Sequence, residues 1–308
     1  MNLHLSVLTD NAASNRTGAA IMLRIWLLMI CSSCAAHASD AWKPLWNGRD
    51  FAGWTSWLKA TEAAPGTARG SYGKLPTLMA TDGDPRGVFS VVSIDGHPAI
   101  RVSGEVLGEL RSTAVLQNYH LRLQFKWGHL QWPPLDKPGM PRDSGLLYHV
   151  HSSPGVEGRL WPRSIEFQVQ ERDVGDLYSI GSMIFVRSKL RTGVDNSVTP
   201  AFCYDPESDW NCFSQVPGMV GRCIKQSDHE KPSGEWNTLE LICLGAESLH
   251  IVNGVVVMRL HIPTRLDSDI PKPVISGPIA LQSECAEIFY RAMEYRPISA
   301  IPVEYAAK

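Results

Sequence analysis

Apolar and polar residues alternate along much of this chain with a period of two. His120–Trp127 reads HLRLQFKW, Gly145–His151 GLLYHVH, Ser164–Gln170 SIEFQVQ, Thr238–Leu244 TLELICL and Ser248–Val252 SLHIV. A strand with one buried face requires this period, because successive side chains point to opposite sides of the pleat. Sustained helical periodicity is scarce. Asn253-Gly254 separates SLHIV from VVVMRL, and Asp95-Gly96 separates VFSVVSI from PAIRVSG. Both dipeptides accept the positive φ that a type I′ turn needs at its two central residues, so each predicts a two-residue hairpin. Many short strands punctuated by Gly and Pro predict an all-β sandwich or jelly roll. Lys59–Gly87 and Lys189–Ser233 lack the pattern and read as long loops, the second with a lid-like place suggested by its length and cysteines.

The N-terminus carries a different signal. Residues 22–38 read MLRIWLLMICSSCAAHA, in which Arg24 precedes an apolar run and small residues end in Ala36-His37-Ala38. This is the order of a secretory signal peptide, and the apolar run is shorter than the roughly 20 residues that span a bilayer. Residues 1–38 are therefore expected to be a leader, with Met22 as a second candidate start. The product would be periplasmic or secreted. Cys34 would be the lipid-bearing residue of a lipoprotein, but Cys31-Ser32-Ser33 is a poor lead-in. Residues 39–308 then form a single domain, within the size range of one large β unit.

Composition narrows the partners. The net charge is −2 and no basic run exists, which argues against nucleic acid, whose phosphates need clustered Lys and Arg. After the leader, no apolar segment is long enough to span a membrane. Five cysteines follow the leader: Cys203, Cys212, Cys223, Cys243 and Cys285. An odd count leaves at least one unpaired. Cys243 lies in the apolar run Leu239–Leu244 and is expected to be a buried thiol. Cys203, Cys212 and Cys223 share one polar insertion, so a disulfide among them is expected. Their spacings of nine and eleven residues match no common zinc pattern.

No G-x-S-x-G elbow, H-E-x-x-H helix or P-loop is present. The chemistry resides in polar residues that alternate along strands. Glu166, Gln168 and Gln170 fall on one face of their strand, opposite Ile165, Phe167 and Val169. Such a stripe suits sugar hydroxyls, or is an ordinary solvated face. Leu147, His149 and His151 fall on one face of the preceding strand and Tyr148 on the other; the two histidines are candidate metal ligands or acid–base groups. Gln282 and Glu284 alternate in GPIALQSECAEIFYR, where Arg291 offers a rigid fork of donors for a carboxylate or a sugar hydroxyl. Trp127, Trp132, Trp161 and Trp236 are candidate stacking platforms, although most tryptophans in a sandwich are core.

Six segments, in order, resemble the 3-keto-disaccharide hydrolase family, also described as 3-keto-glucoside 1,2-lyase and 3-keto-2-hydroxyglucal hydratase. They are WKPLWNGRDFAGW, NYHLRLQFKW, RDSGLLYH, SIEFQVQERDVGDLY, SGEWNTLELICLGAESLHIVNG and GPIALQSECAEIFYRAMEYRPI, running from Trp42 to Ile298. The chain departs from the family pattern at Arg142-Asp143-Ser144, where Asn-Ser is commoner, at His149 in place of Arg, at Cys285 in place of Gly, and at Ala292-Met293 in place of Asn-Ile.

The resemblance implies a concanavalin A-like lectin/glucanase jelly-roll sandwich whose concave sheet cradles a sugar. It implies cleavage of 3-keto-glycosides by removal of the C2 proton, elimination across C1–C2, and rehydration. Glu166 is then the expected base, with His149 as second choice. Gln168, Gln170, Tyr148, Gln282, Glu284, Arg291 and Trp161 are expected to bind the sugar. A divalent metal, if one is used, would be held by His149, His151 and Glu166. The competing expectations are a non-catalytic carbohydrate-binding module and a conventional glycoside hydrolase that uses Glu166 with Glu171 or Glu284.

Overall fold

Alternation along the strands becomes two sheets that share one apolar interior. The structure is a computed structural model that describes residues 41–59, 81–155, 159–191, 201–215, 217–265 and 274–306. The expected leader lies outside the described residues. The first sheet runs, edge to edge, through Phe89–Ile94, His97–Val102, Ala286–Pro297, Tyr119–Gln131, Asn237–Leu244, Glu247–Val252, Val255–Arg265, Ser182–Leu190 and Trp210–Phe213. The second runs through Thr81–Asp82, Trp54–Leu58, Gly108–Ser112, Ala280–Ser283, Gly145–Tyr148, Ser164–Gln168, Leu177–Ile180, Arg222–Ile224 and Phe202–Tyr204. Ser182–Leu190 pairs in both sheets and joins them. Pairing is antiparallel except between Phe202–Tyr204 and Arg222–Ile224. This is the jelly-roll-like sandwich that the alternation predicts.

The core lies between the sheets. Leu121, Leu123, Phe125 and Trp127 enter it from the first sheet; Leu146, Tyr148, Ile165, Phe167 and Leu281 enter it from the second. Arg122, Gln124 and Lys126 alternate with the former and are partly exposed. Burial of this apolar area, at roughly 25 cal/mol per Å², is what holds the two sheets together. Among the described residues, no helix is long and apolar enough to cross a membrane.

Both expected hairpins form. Asp95 and Gly96 have φ of 54° and 76°, and Asn253 and Gly254 have 49° and 83°. The first connects Phe89–Ile94 to His97–Val102, and the second connects Glu247–Val252 to Val255–Arg265. Asn253 adds side-chain bonds: its Oδ1 accepts from Thr238 N at 2.8 Å, and its Nδ2 donates to His229 O at 2.7 Å.

The segment Lys189–Ser233 is not simply a loop. It contains Phe202–Tyr204, Trp210–Phe213 and Arg222–Ile224, strands too short to show a period. Thr81–Asp82 likewise interrupts Lys59–Gly87, of which residues 60–80 lie outside the described residues. The expected disulfide does not form, since Cys203, Cys212 and Cys223 are all free thiols. Phe202 is level with Cys223, and Cys203 with Ile224. Cys223 therefore faces the core and Cys203 the opposite side. Cys243 is the buried thiol its apolar run predicts.

Gly254→Ala tests the hairpin. A Cβ there meets no neighbouring atom, so the cost is the positive φ alone, about 1–2 kcal/mol. Urea unfolding should show a loss of that size.

Candidate active site

The opposite face of the second sheet is polar, and its register stacks the polar residues in three rows. In the first row, Tyr178, Glu166, Leu147, Ala280 and Arg111 lie side by side. One step along the strands, Gln168 is level with Gly145, and Gln282 with Glu109. A further step brings Glu284 level with Asp143 through an isolated bridge. Ser144 and Val169 exchange backbone bonds of 3.1 and 3.2 Å, which sets Asp143 beside Gln170. Gln170 Nε2 donates to Asp143 Oδ2 at 2.7 Å.

Gly145 is the low point of this face. A Cβ on it would lie 2.3 Å from both Gln282 Oε1 and Glu166 Oε1. The two side chains thus lean together into space that only a glycine leaves open. Gln168 is fixed beside them, because its own Oε1 accepts from Val169 N at 2.9 Å, which leaves its Nε2 as the available donor. Trp161 packs against Leu147, Val150, Ile180 and Ala280, an apolar patch on the same face.

The face is acidic and dry. Glu166, Asp143 and Glu284 are 5%, 8% and 7% exposed. Burial pushes the Glu166 carboxyl well above the usual range; nearby Glu284 adds to this, and the Gln282 side chain opposes it. Asp143 is raised in the same way by burial, then by Glu284 and Glu166. Like charges gathered on one buried face oppose one another's ionisation. Glu109 is pushed up to about 7 by burial, although its ion pair with Arg111 pulls the other way.

A second layer fixes the strand and its turn. Phe167 stacks on His250, with ring centroids 4.2 Å apart. His250 Nδ1 donates to Gly175 O at 3.0 Å, and Tyr148 OH donates to His250 Nε2 at 3.2 Å. Because Gly175 O can only accept, these partners fix the ring's tautomer; burial lowers its pKa to about 3, so it stays neutral. Asp176, fully buried, accepts from Arg222 Nε and Nη2 at 2.9 and 2.6 Å and from Lys225 N at 2.9 Å. The Arg222 guanidinium lies 5.6 Å from the Tyr178 ring centroid.

The structure gathers Glu166, Gln168, Gln170, Gln282 and Glu284 on one face, with Trp161 at its side. It does not gather the rest. Tyr148 points into the core. His149 takes a left-handed φ of 51°, which breaks the alternation that would have placed it beside Leu147. Its ring instead meets Tyr119 and Tyr148, and its Nδ1 donates to Val274 O at 2.8 Å. His151 Nδ1 donates to His149 O at 2.9 Å. Among the described residues, no group of three or more His, Cys, Asp or Glu side chains is arranged to hold a metal.

Arg291 belongs to the first sheet, where its Nε donates to Gln124 Oε1 at 2.8 Å and its guanidinium lies 3.8 Å from the Trp236 ring. Trp127 is core, and Trp132 donates to Ser103 O. Glu171 pairs with Arg142 rather than with Glu166. Residues that sequence reasoning missed are Glu109, Asp143, Tyr178 and Arg222. The alternation of Glu109 and Arg111 in GELRS was a legible signal; the others depend on register between distant strands.

Residues 41–296 match the family described as 3-keto-alpha-glucoside-1,2-lyase-like domain. No curated protein matches the chain significantly. Similar solved structures include two Parabacteroides distasonis proteins proposed to be glycosyl hydrolases. One is 15% identical, with a TM-score of 0.44, covering 84% of this chain and 94% of that one. The other is 18% identical, with a TM-score of 0.41, covering 70% and 93%. A Bacillus subtilis carbohydrate-binding module is 7% identical, with a TM-score of 0.37, covering 68% and 91%. Likenesses of this size say nothing about chemistry.

Two outcomes test this geometry. Gly145→Ala should displace the Glu166 and Gln282 side-chain ends while the fold survives, so sugar affinity should fall at least about tenfold with only a small shift in melting temperature. The second concerns pH. The folded protein holds the Glu109 proton up to about 7, whereas the unfolded chain releases it near 4.5. That contribution is full below 4.5 and is lost as pH rises through 7. Stability measured in urea should therefore decline between pH 5 and 8, and Glu109→Gln should flatten part of the decline.

Proposed function

The chain belongs to the 3-keto-alpha-glucoside-1,2-lyase-like family, and from that premise we propose that it cleaves a 3-keto-glycoside by elimination across C1 and C2. A carbonyl at C3 acidifies the hydrogen on C2. A base removes that proton, the electrons pass into an enolate, and the enolate expels the group on C1. Water adds back to the resulting 2-hydroxyglycal. The reaction needs a base, donors to the enolate oxygen, and exclusion of bulk water.

The observation that carries this reading is the convergence of Glu166 and Gln282 over Gly145 on a buried polar face. A buried carboxyl with a raised pKa is a strong base once ionised, and in this reading Glu166 takes the C2 proton. The Gln282 and Gln168 amides supply donors for the enolate and hydroxyl oxygens. The apolar patch with Trp161 offers a wall for the sugar's C–H face. His250, through Gly175, and Asp176, through Arg222, hold the turn that follows the Glu166 strand. With the leader expected over residues 1–38, the reaction belongs outside the cytoplasm.

Glu166→Gln keeps the shape and removes the base. Turnover of a 3-keto-glucoside should fall at least about 1,000-fold, with the fold intact by circular dichroism. Wild-type turnover by this variant would reject the assignment. Cleavage of the unoxidised glycoside by the wild type would indicate a conventional hydrolase. Sugar binding without turnover of either would indicate a binding module.

A further inference from the structure

We infer that Asp143 is the proton donor to the departing C1 oxygen, so that the site works as a base–acid pair, Glu166 with Asp143. The inference deepens the lyase reading and rests on it. Asp143 stands on the same face as Glu166, in register with Glu284 on one side and Gln170 on the other. Its two oxygens are unlike. Oδ2 accepts from Gln170 Nε2 at 2.7 Å. Oδ1 is buried and, among the described residues, has no hydrogen-bond partner. A buried carboxyl oxygen without a donor is costly if charged and is naturally the one that carries the proton.

The neighbours point the same way. Glu284 and Glu166 both oppose ionisation of Asp143, against hydrogen bonds from the Gln170 side chain and the Ser144 backbone. The protonated acid thus has a fixed orientation, with Gln170 holding one oxygen and the proton on the other, buried one.

The proton balance closes. Glu166 as carboxylate takes the C2 proton. The C1–O bond breaks, its electron pair goes to the leaving oxygen, and that oxygen takes the Asp143 Oδ1 proton. Asp143 is left as a carboxylate, stabilised by the Gln170 amide. Transfer of the proton from Glu166 back to Asp143 within the carboxyl cluster resets the site. No oxidant or reductant is consumed.

The test is leaving-group dependence. Asp143→Asn preserves shape and removes the proton. Two substrates are compared: methyl 3-keto-glucoside, whose alkoxide needs protonation, and 4-nitrophenyl 3-keto-glucoside, whose phenolate does not. On the methyl glycoside kcat should fall at least about 100-fold, the scale of general-acid catalysis. On the nitrophenyl glycoside it should change less than about threefold. Equal losses on both, or no loss on the methyl glycoside, would overturn the donor role.

The wild type gives a second reading that does not depend on the variant folding. Its methyl glycoside rate should fall on an alkaline limb that the nitrophenyl rate lacks. Coincident profiles would overturn the proposal. A wild type inactive on both 3-keto-glycosides rejects the lyase reading and this role with it, whereas activity on both without discrimination rejects the donor role alone.

Discussion

The strand Ser164–Gln168 is buried on both faces, and the two faces demand opposite chemistry. Ile165 and Phe167 enter the apolar interior, while Glu166 and Gln168 enter a polar layer that is almost as dry. Apolar burial on one side fixes the strand's register, because a slip of one residue would drive a carboxylate into the core. The same register then forces Glu166 into the polar layer. The energy that places the carboxyl is therefore supplied by the opposite face of its own strand, and it offsets the desolvation that raises the carboxyl's pKa.

The cluster that results is built of like charges. Glu284 opposes ionisation of both Glu166 and Asp143, and Glu166 opposes that of Asp143. Amides border two of them: Gln282 leans against Glu166 and Gln170 bonds Asp143. An Arg or Lys in those places would pull the carboxyls down to full ionisation and abolish any proton reservoir. The amides hold geometry without discharging the site. Arginine is used elsewhere on the same sheet, where Arg222 anchors Asp176 and Arg111 pairs with Glu109.

Rigidity comes from behind. His250 belongs to the first sheet, yet it stacks on Phe167 and bonds Gly175, so it fastens the turn after the Glu166 strand from across the core. Its burial keeps it neutral, which suits a ring that must donate through one nitrogen and accept through the other. The histidines that the sequence singled out are placed differently: His149 turns out of line at a positive φ and joins the aromatic interior.

Much of this was legible in the residues themselves. Strict alternation in SIEFQVQ and HLRLQFKW determined which side chains face the core, and Asn253-Gly254 and Asp95-Gly96 determined two hairpins, because both effects act over a few adjacent residues. The same alternation placed Glu166, Gln168 and Gln282 on polar faces. It did not say that those faces meet. Whether Glu284 neighbours Asp143, whether Gly145 opens space for two side chains, and whether Arg291 shares a sheet with Glu166 depend on which strands pair and in what register. Local pattern carries no information about partners more than 100 residues away. Only the tertiary pairing made a site of Glu166, Gln282 and Asp143, set Arg291 on the other sheet, and turned Cys203 and Cys223 to opposite faces.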